Sequence, residues 1–249
     1  MSSRRLSVAM IARNAEKQIE ASLKSVDWAE ELCVADTGSA DNTKDTAERC
    51  GARVASISFE GFGFAKQKAV EMTSHDWVLS LDSDEVVTSG LKRGLRGFLT
   101  NPAGYDGVEF VRVTNFCGHW ILHGGWYPEY VLRLFDKRKA NYNDKLIHES
   151  VGPVEKIKRV EGHLLHFSYP DLKSYLAKLK EYSRLKAEAD REVAFLKKFL
   201  FLFIKPGLVF VKKFIFQKGF ADGLPGLWIA CLSAYGQVLR YLYGLTQRF

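Results

Sequence analysis

Through the first hundred residues, apolar runs of strand length alternate with stretches in which apolar positions recur at helical spacing. Leu6 to Ala12 is almost continuously apolar, the pattern of a strand buried on both faces. Ile19, Leu23 and Val26 then share one helical face, with Asn14 ahead of them as the expected N-cap. Leu32 to Ala35 predicts a second strand ending in Asp36. Thr37 to Asn42 supplies turn residues for a helix over Thr43 to Cys50, closed by Gly51. Arg53 to Phe59 alternates as a third strand, a helix is expected over Ala65 to Met72 after Gly61-Phe62-Gly63, and Trp77 to Leu81 is a fourth apolar run. Strand and helix in turn predict right-handed βαβ units and a mostly parallel α/β sheet. Ligands of such sheets gather at the carboxyl ends of the strands, where Arg13, Asn14, Asp36 and Asp82 to Glu85 all fall.

The fourth run ends in Asp82-Ser83-Asp84-Glu85, three acids in four residues. Burying ionised carboxylates costs several kcal/mol or more unless something pairs with them, so acids at the tip of a core strand point to a cation or a ligand. Mg²⁺ and Mn²⁺ favour oxygen ligands, and Mg²⁺ completes a shell of one or two carboxylates with water and phosphate oxygens. That chemistry suits a nucleotide diphosphate. The alternative is an acidic turn leading into a helix capped by Thr88 or Ser89.

Further on, Gly107 to Val113 and Tyr130 to Phe135 read as strands, the latter carrying Arg133. Between them Phe116, Trp120, Trp126 and Tyr127 mix with His119, His123, Gly124 and Gly125. Such a stretch suits stacking on a sugar face, or alternatively forms a small aromatic core.

These features in order resemble the inverting glycosyltransferases of family 2, which implies the GT-A fold, a single nucleotide-sugar-binding α/β domain. Val34 to Thr43 is similar to the family's strand-2 signature, Leu81-Asp82-Ser83-Asp84 to its Asp-x-Asp metal motif, and Ala65-Lys66-Gln67-Lys68-Ala69 stands where the family has Ala-Arg-Asn. The resemblance implies a UDP-sugar donor touched by Asp36, Lys66 and Asp82. It also implies Mg²⁺ or Mn²⁺ held by Asp84 and Asp82, with His166 as a further contact. A carboxylate at Asp36 can accept the imide N–H of uracil, and its alternative is to cap a turn. Arg13, Asn14 and Arg133 join the donor-side candidates. Trp-Tyr-Pro, Arg133, His148-Glu149 and His166 resemble the WaaE/KdtX-type lipopolysaccharide-core glucosyltransferases, which places Glu149 as general base beside the acceptor hydroxyl, with His148 to orient it. Asp144 and Glu129 are rival bases.

From Asp171 the pattern turns helical, and charge sharpens the division. The chain has 249 residues and a net charge of +7, yet residues 1–171 carry 22 basic and 24 acidic side chains against 14 and 5 in residues 172–249. A transferase domain over 1–170, with its acceptor region from about residue 105, and a helical extension over 171–249 are therefore expected. Val193 to Phe216 holds 17 apolar residues and five lysines in 24 positions, interrupted by Pro206-Gly207. Lys198, Lys205 and Lys212 are seven apart and would form one stripe. Two interfacial helices on an anionic membrane through residues 193–249 fit better than a span or a nucleic-acid surface. An oligomer interface is the alternative. Leu227 to Tyr243 predicts a last apolar helix. Cys33, Cys50, Cys117 and Cys231 show neither metal-ligand pairing nor disulfide density, and are expected reduced. Leu6 to Ala12 is too short for a signal-peptide core.

The reading that follows is transfer of a hexose, foremost glucose from UDP-glucose, to a lipopolysaccharide-core acceptor on the cytoplasmic face of the bacterial inner membrane. A polyprenyl-phosphate acceptor is the rival within the class. Outside it stand a sugar nucleotidyltransferase, disfavoured because Ala12 to Glu16 lacks a glycine-rich loop, and a non-catalytic glycan- or nucleotide-binding module.

Overall fold

The computed structural model describes residues 4–102, 104–143, 150–190 and 194–246. In chain order the elements are β1 (Leu6–Ala12), α1 (Ile19–Ser25), β2 (Glu31–Asp36), α2 (Thr43–Arg49), β3 (Arg53–Ser56), α3 (Phe62–Glu71), β4 (Trp77–Asp82), β5 (Glu85–Val87), α4 (Ser89–Thr100), β6 (Gly107–Phe116), β7 (His119–Trp120), β8 (Glu129–Asp136), β9 (Asn141–Tyr142), β10 (Val151–Gly152), β11 (Ile157–Tyr169), α5 (Leu172–Ala189), α6 (Phe195–Val211) and α7 (Gly223–Thr246). A π-helical turn over Lys212–Phe216 and a 3₁₀ turn over Gly219–Asp222 join α6 to α7. The chain forms two compact units, one of residues 1–112 and 129–166, the other of residues 113–128 and 167–249. Expected acceptor-side residues 113–128 thus group with the C-terminal helices.

In the first unit β1 lies between β2 and β4, parallel to both. Its alternate side chains explain the unbroken apolar run. Leu6, Val8 and Met10 pack with Ile19 and Leu23 of α1 and Leu91 and Leu95 of α4. Ala9, pointing the other way, packs with Ala69 and Val70 of α3. Each buried Leu, Val, Ile or Met among them contributes about 1.5–3 kcal/mol. Among the described residues the sheet order is β3-β2-β1-β4-β8-β6-β11-β5, with β7 on β6. The parallel expectation holds from β3 to β4. Beyond β4 the pairing turns antiparallel, with β8 on β4 and β6 on β8, so the sheet is mixed.

Register fixes the functional edge. Ala12 pairs with Asp36 and Ile11 with Asp82, so the two acids end the strands on either side of β1, one register position apart. Leu79 pairs with Leu134, which carries Arg133 of β8 toward the same end of β4. Arg112 lies opposite Glu129, and His166 of β11 opposite Glu85 of β5. Gly162 keeps β11 close to α4: at φ +112° it has the left-handed backbone glycine favours, and a Cβ there would overlap the Leu91 backbone.

Local expectations fail where tertiary contacts outbid propensity. Asn14 does not cap α1, which begins at Ile19. It takes a left-handed φ of 51°, and its Oδ1 accepts the Ala40 N–H at 2.8 Å while its own N–H donates to Ser39 Oγ at 2.9 Å, stitching two loops together. β3 stops at Ser56, short of the expected Phe59, and α3 starts at Phe62, three residues before the expected Ala65.

The second unit has its own core of Phe116, Ile121, Tyr175 and Ile229. Trp126 meets Phe116 edge-on at 6.0 Å, so this part of the aromatic stretch is packing. Ser183 Oγ of α5 donates to the Gly236 carbonyl of α7 at 3.2 Å, and Arg240 grips Asp190 with two bonds of 2.7 and 3.0 Å. Helices α6 and α7 form an antiparallel hairpin, with Lys198 beside Gly244, Phe201 beside Tyr241 and Phe214 beside Phe220. The expected break at Pro206 is absent: α6 runs through it, and the irregularity falls at the π turn one residue past its end.

Candidate active site

The four acids at the sheet edge of the first unit are treated very differently. Asp82 closes β4 and Glu85 opens β5, so the intervening residues form a tight turn, and α4 is capped by Thr88, whose Oγ1 accepts the Leu91 N–H at 3.3 Å. Thr88 is the cap that the alternative reading expected, and it leaves the carboxylates of Asp82, Asp84 and Glu85 to other partners. Glu85 is fully buried. Its Oε1 accepts from Arg133 at 2.9 Å and from Arg112 at 3.2 Å, and its Oε2 accepts the Asp82 N–H at 3.0 Å. Arg112 also holds Glu129 in a two-point grip of 3.0 and 2.7 Å, which occupies that rival base.

Asp82 is flanked by two cations. Its Oδ2 accepts from Arg133 at 2.7 Å, and Lys66 Nζ stands 2.9 Å from Oδ1. Burial alone would raise its pKa, but the charges of Arg133 and Lys66 reverse that and hold the carboxyl well below the usual range. Arg133 is buried too. Burial works against its charge, and Asp82 and Glu85 more than restore it, raising its pKa well above the ordinary value. Tyr142 braces the pair: its hydroxyl accepts from Arg133 at 3.4 Å and donates to Ser80 Oγ at 3.0 Å, while its ring lies 5.4 Å from Lys66 Nζ.

Asp84 has no such guard. Among the described residues the side chain that faces it is that of His166, whose Nε2 lies 3.5 Å from Asp84 Oδ2. His166 Nδ1 is buried with no hydrogen-bond partner among the described residues. The nitrogen that faces Asp84 is Nε2, so a cation shared by the two groups would be taken through Nε2, with the ring proton left on Nδ1. The described residues contain no cluster of three or more His, Cys, Asp or Glu suited to a metal. An Asp and a His fit Mg²⁺ or Mn²⁺ as a partial set, since such ions keep water and phosphate oxygens in the remaining places.

Asp36 is fully buried, and its carboxylate accepts N–H groups of its own loop, Gly38 at 3.1 Å and Ser39 at 3.1 Å, with Lys44 Nζ 3.4 Å away. Burial opposes its charge, and the Ser39 and Gly38 hydrogen bonds still keep its pKa below the usual value. This geometry is that of the turn-capping role. Arg13 and Asn14 are exposed on the same edge, within the loops just described. Lys66, Asp82, Arg133, Asp84 and His166 are brought together. Glu149, His148 and Asp144 lie outside the described residues. Sequence reasoning missed Arg112 and Tyr142. An arginine interrupting the apolar run Phe110 to Val113 of β6 was the available sign of the first.

Residues 7–179 match the family model described as Glycosyl transferase family 2. A lipopolysaccharide core biosynthesis glycosyltransferase of Rhizobium meliloti is 26% identical over 92% of this chain and 90% of its own length. An uncharacterized glycosyltransferase of Rickettsia typhi is 24% identical over 95% and 85%. Among solved structures, glucosyl-3-phosphoglycerate synthase from Mycobacterium tuberculosis, in complex with Mn²⁺, UDP and glucosyl-3-phosphoglycerate, is 31% identical with a TM-score of 0.39, covering 44% of each chain.

Proposed function

The chain belongs to glycosyl transferase family 2 and is a glycosyltransferase, and from that premise we propose that it transfers glucose from UDP-glucose, with inversion, to a membrane-held lipopolysaccharide-core acceptor. The observation that carries the donor side is the division of labour at the end of β4. Asp82 is neutralised by Arg133 and Lys66, whereas Asp84 faces, among the described residues, His166 Nε2 at 3.5 Å and no lysine or arginine. The similarity to a lipopolysaccharide-core enzyme over nearly the whole chain supports the acceptor class. The reading sets the reaction on the cytoplasmic face of the bacterial inner membrane.

Asp84 and His166 would hold Mg²⁺ or Mn²⁺, which when bound neutralises charge growing on the departing diphosphate. Lys66 and Arg133 place two cations at the same edge, fixed by Asp82 so that they need not reorganise as charge develops. Glu149, assigned from the sequence, takes the proton of the acceptor hydroxyl. That oxygen bonds to the anomeric carbon from the face opposite UDP, the bond to the diphosphate oxygen breaks, and its electron pair leaves with UDP. An α-linked donor yields a β-linked product.

The test is thermal unfolding of wild type and Asp84→Asn with UDP-, GDP-, ADP- and CMP-sugars, each with and without Mn²⁺. A ligand at about a hundred times its Kd adds roughly 2.7 kcal/mol of stability. Metal-dependent stabilisation by a UDP-sugar, lost in Asp84→Asn, is expected. Stabilisation by none of them, or equal stabilisation of the variant, overturns the donor assignment. On a polyprenyl-phosphate acceptor the phosphate is itself the nucleophile, so Glu149→Gln would retain turnover there and lose it on a sugar hydroxyl.

A further inference from the structure

Helix α6 is amphipathic the wrong way round for a protein in water. The outward positions of this helix include Leu196, Phe199, Leu200, Phe203 and Leu208, each between 48% and 77% exposed. Leu196, Phe199, Leu200 and Phe203 fall within about 100° of one another around a helix of about 25 Å, so they form one stripe, with Leu208 beyond its end. Lys198, expected on a solvent-facing lysine stripe, is instead 3% exposed and donates to the Gly244 carbonyl at 3.5 Å, in the last turn of α7 where the helix dipole favours a cation. Lys205 lies over the Phe201 ring at 4.8 Å, and Lys213 donates to the Gly124 carbonyl at 2.9 Å. Apolar exposure continues at the closed end of the hairpin, through Ile215, Phe216, Phe220 and Leu224.

Contiguous apolar surface of this kind marks an interaction site, and its surroundings select the occupant. Residues 194–246 contain seven basic side chains and one acidic one, Asp222, whose carboxylate is 7% exposed and bound to His123. Two copies meeting through this face would bring two sets of cations together with no exposed acid to answer them. An anionic bilayer offers both an apolar interior for the stripe and negative headgroups for the flanking lysines, whose stems can lie along the apolar surface. Among the described residues no helix is long and apolar enough to cross a membrane. We propose that the outer face of α6 and the closed end of the α6–α7 hairpin form the surface by which this protein lies in the headgroup layer of an anionic phospholipid bilayer. The proposal deepens the reading of a membrane-held acceptor but does not rest on the transfer chemistry.

Flotation of the full chain with vesicles of phosphatidylethanolamine and phosphatidylglycerol, against pure phosphatidylcholine, tests it. Wild type should partition onto the anionic vesicles, and Phe199→Ser/Phe203→Ser/Leu208→Ser should lower the partition coefficient at least tenfold with an unchanged melting midpoint. Lys197→Gln/Lys212→Gln should lower it a few-fold and weaken its salt dependence. Asp84→Asn should float as wild type does, which separates this surface from the donor site. If the triple variant melts early, Leu196→Ser and Phe203→Ser alone decide, each expected to cost about threefold. Unchanged flotation of the apolar variants, no flotation of wild type, or a wild-type dimer that the triple variant converts to monomer overturns the proposal.

Discussion

The two units break the usual rule of globular proteins, polar outside and apolar inside, in opposite directions. The first encloses charge: Glu85 and Arg133 are nine-tenths or more buried, and with Asp82, Lys66, Arg112 and Glu129 they form one connected network. The second turns grease outward along α6 and tucks Lys198 beneath it. Both are costly arrangements in water, and each has its own compensation. Buried charges are tolerated when partners answer them. Exposed apolar side chains cost little to folding itself, because the unfolded chain exposes them as well, so their consequence falls on association instead. Damage to the network should thus appear as lost stability, and damage to the stripe as lost binding.

The largest effect expected is at Glu85. Glu85→Gln keeps the shape but removes the charge facing both Arg133 and Arg112, leaving two guanidiniums short of a counter-charge in a buried site. A loss of about 3–5 kcal/mol is expected, measured by urea unfolding at pH 7. A loss below about 1 kcal/mol would mean that water or rearrangement satisfies the network, and the contrast between the units would weaken.

Asp84 sharpens the contrast inside the first unit. Two residues after Asp82, it has no lysine or arginine facing it among the described residues, so Asp84→Asn should change stability by less than about 1 kcal/mol. Turnover should respond instead, with kcat/KM for the UDP-sugar falling at least about a hundredfold, equivalent to about 2.7 kcal/mol of transition-state stabilisation. Asp82→Asn should show the mixed outcome, because it loosens Arg133 and Lys66 as well.

Glu31, at the start of β2, supplies a structural acid for comparison. It accepts from Ser7 Oγ at 2.6 Å, from the Ser74 N–H at 2.7 Å and from Arg53 at 2.9 Å. Burial opposes its charge, and these hydrogen bonds, Ser7 foremost, bring its pKa down to about 2 from 4.5. A depressed folded-state pKa adds stability that is fully present above pH 4.5 and disappears as the pH falls through about 2. Glu31→Gln should therefore cost about 3 kcal/mol at pH 7, an order-of-magnitude figure from that shift. The deficit should shrink steadily between pH 4.5 and 2 in unfolding experiments, while UDP-sugar binding at neutral pH stays unchanged.

How much of this the sequence disclosed follows the range of the interactions. The alternation of β1 to β4, the Asp82–Asp84 turn and the rise of a helical extension at Asp171 are local patterns, and they were legible. The pairing of Arg112 with Glu129 spans 17 residues and that of Lys66 with Asp82 depends on α3 docking beside β4, so neither follows from spacing alone. Asn14 misled because the same side chain that caps helices also stabilises a left-handed turn, and the loop of β2 offered it partners. The lysine stripe misled for a deeper reason. Periodicity shows which residues share a face but not which way the face points, and the carbonyl end of α7 drew Lys198 inward.

The smallest effect expected is the one that most cleanly tests the second unit. Phe203 is 68% exposed, so replacing it by serine removes little besides its edge-on contact with the also outward Phe199 ring at 5.2 Å. The unfolding free energy should change by no more than about 0.5 kcal/mol, as for surface sites generally. Ile229→Ala, in the core of the same unit at 1% exposure, should cost about 2–5 kcal/mol and calibrates the measurement. A Phe203→Ser loss approaching that of Ile229→Ala would mean that the α6 stripe is covered in the isolated chain. The exposed grease would then be part of a core, and the opposition between the two units would collapse into a single ordinary pattern of burial.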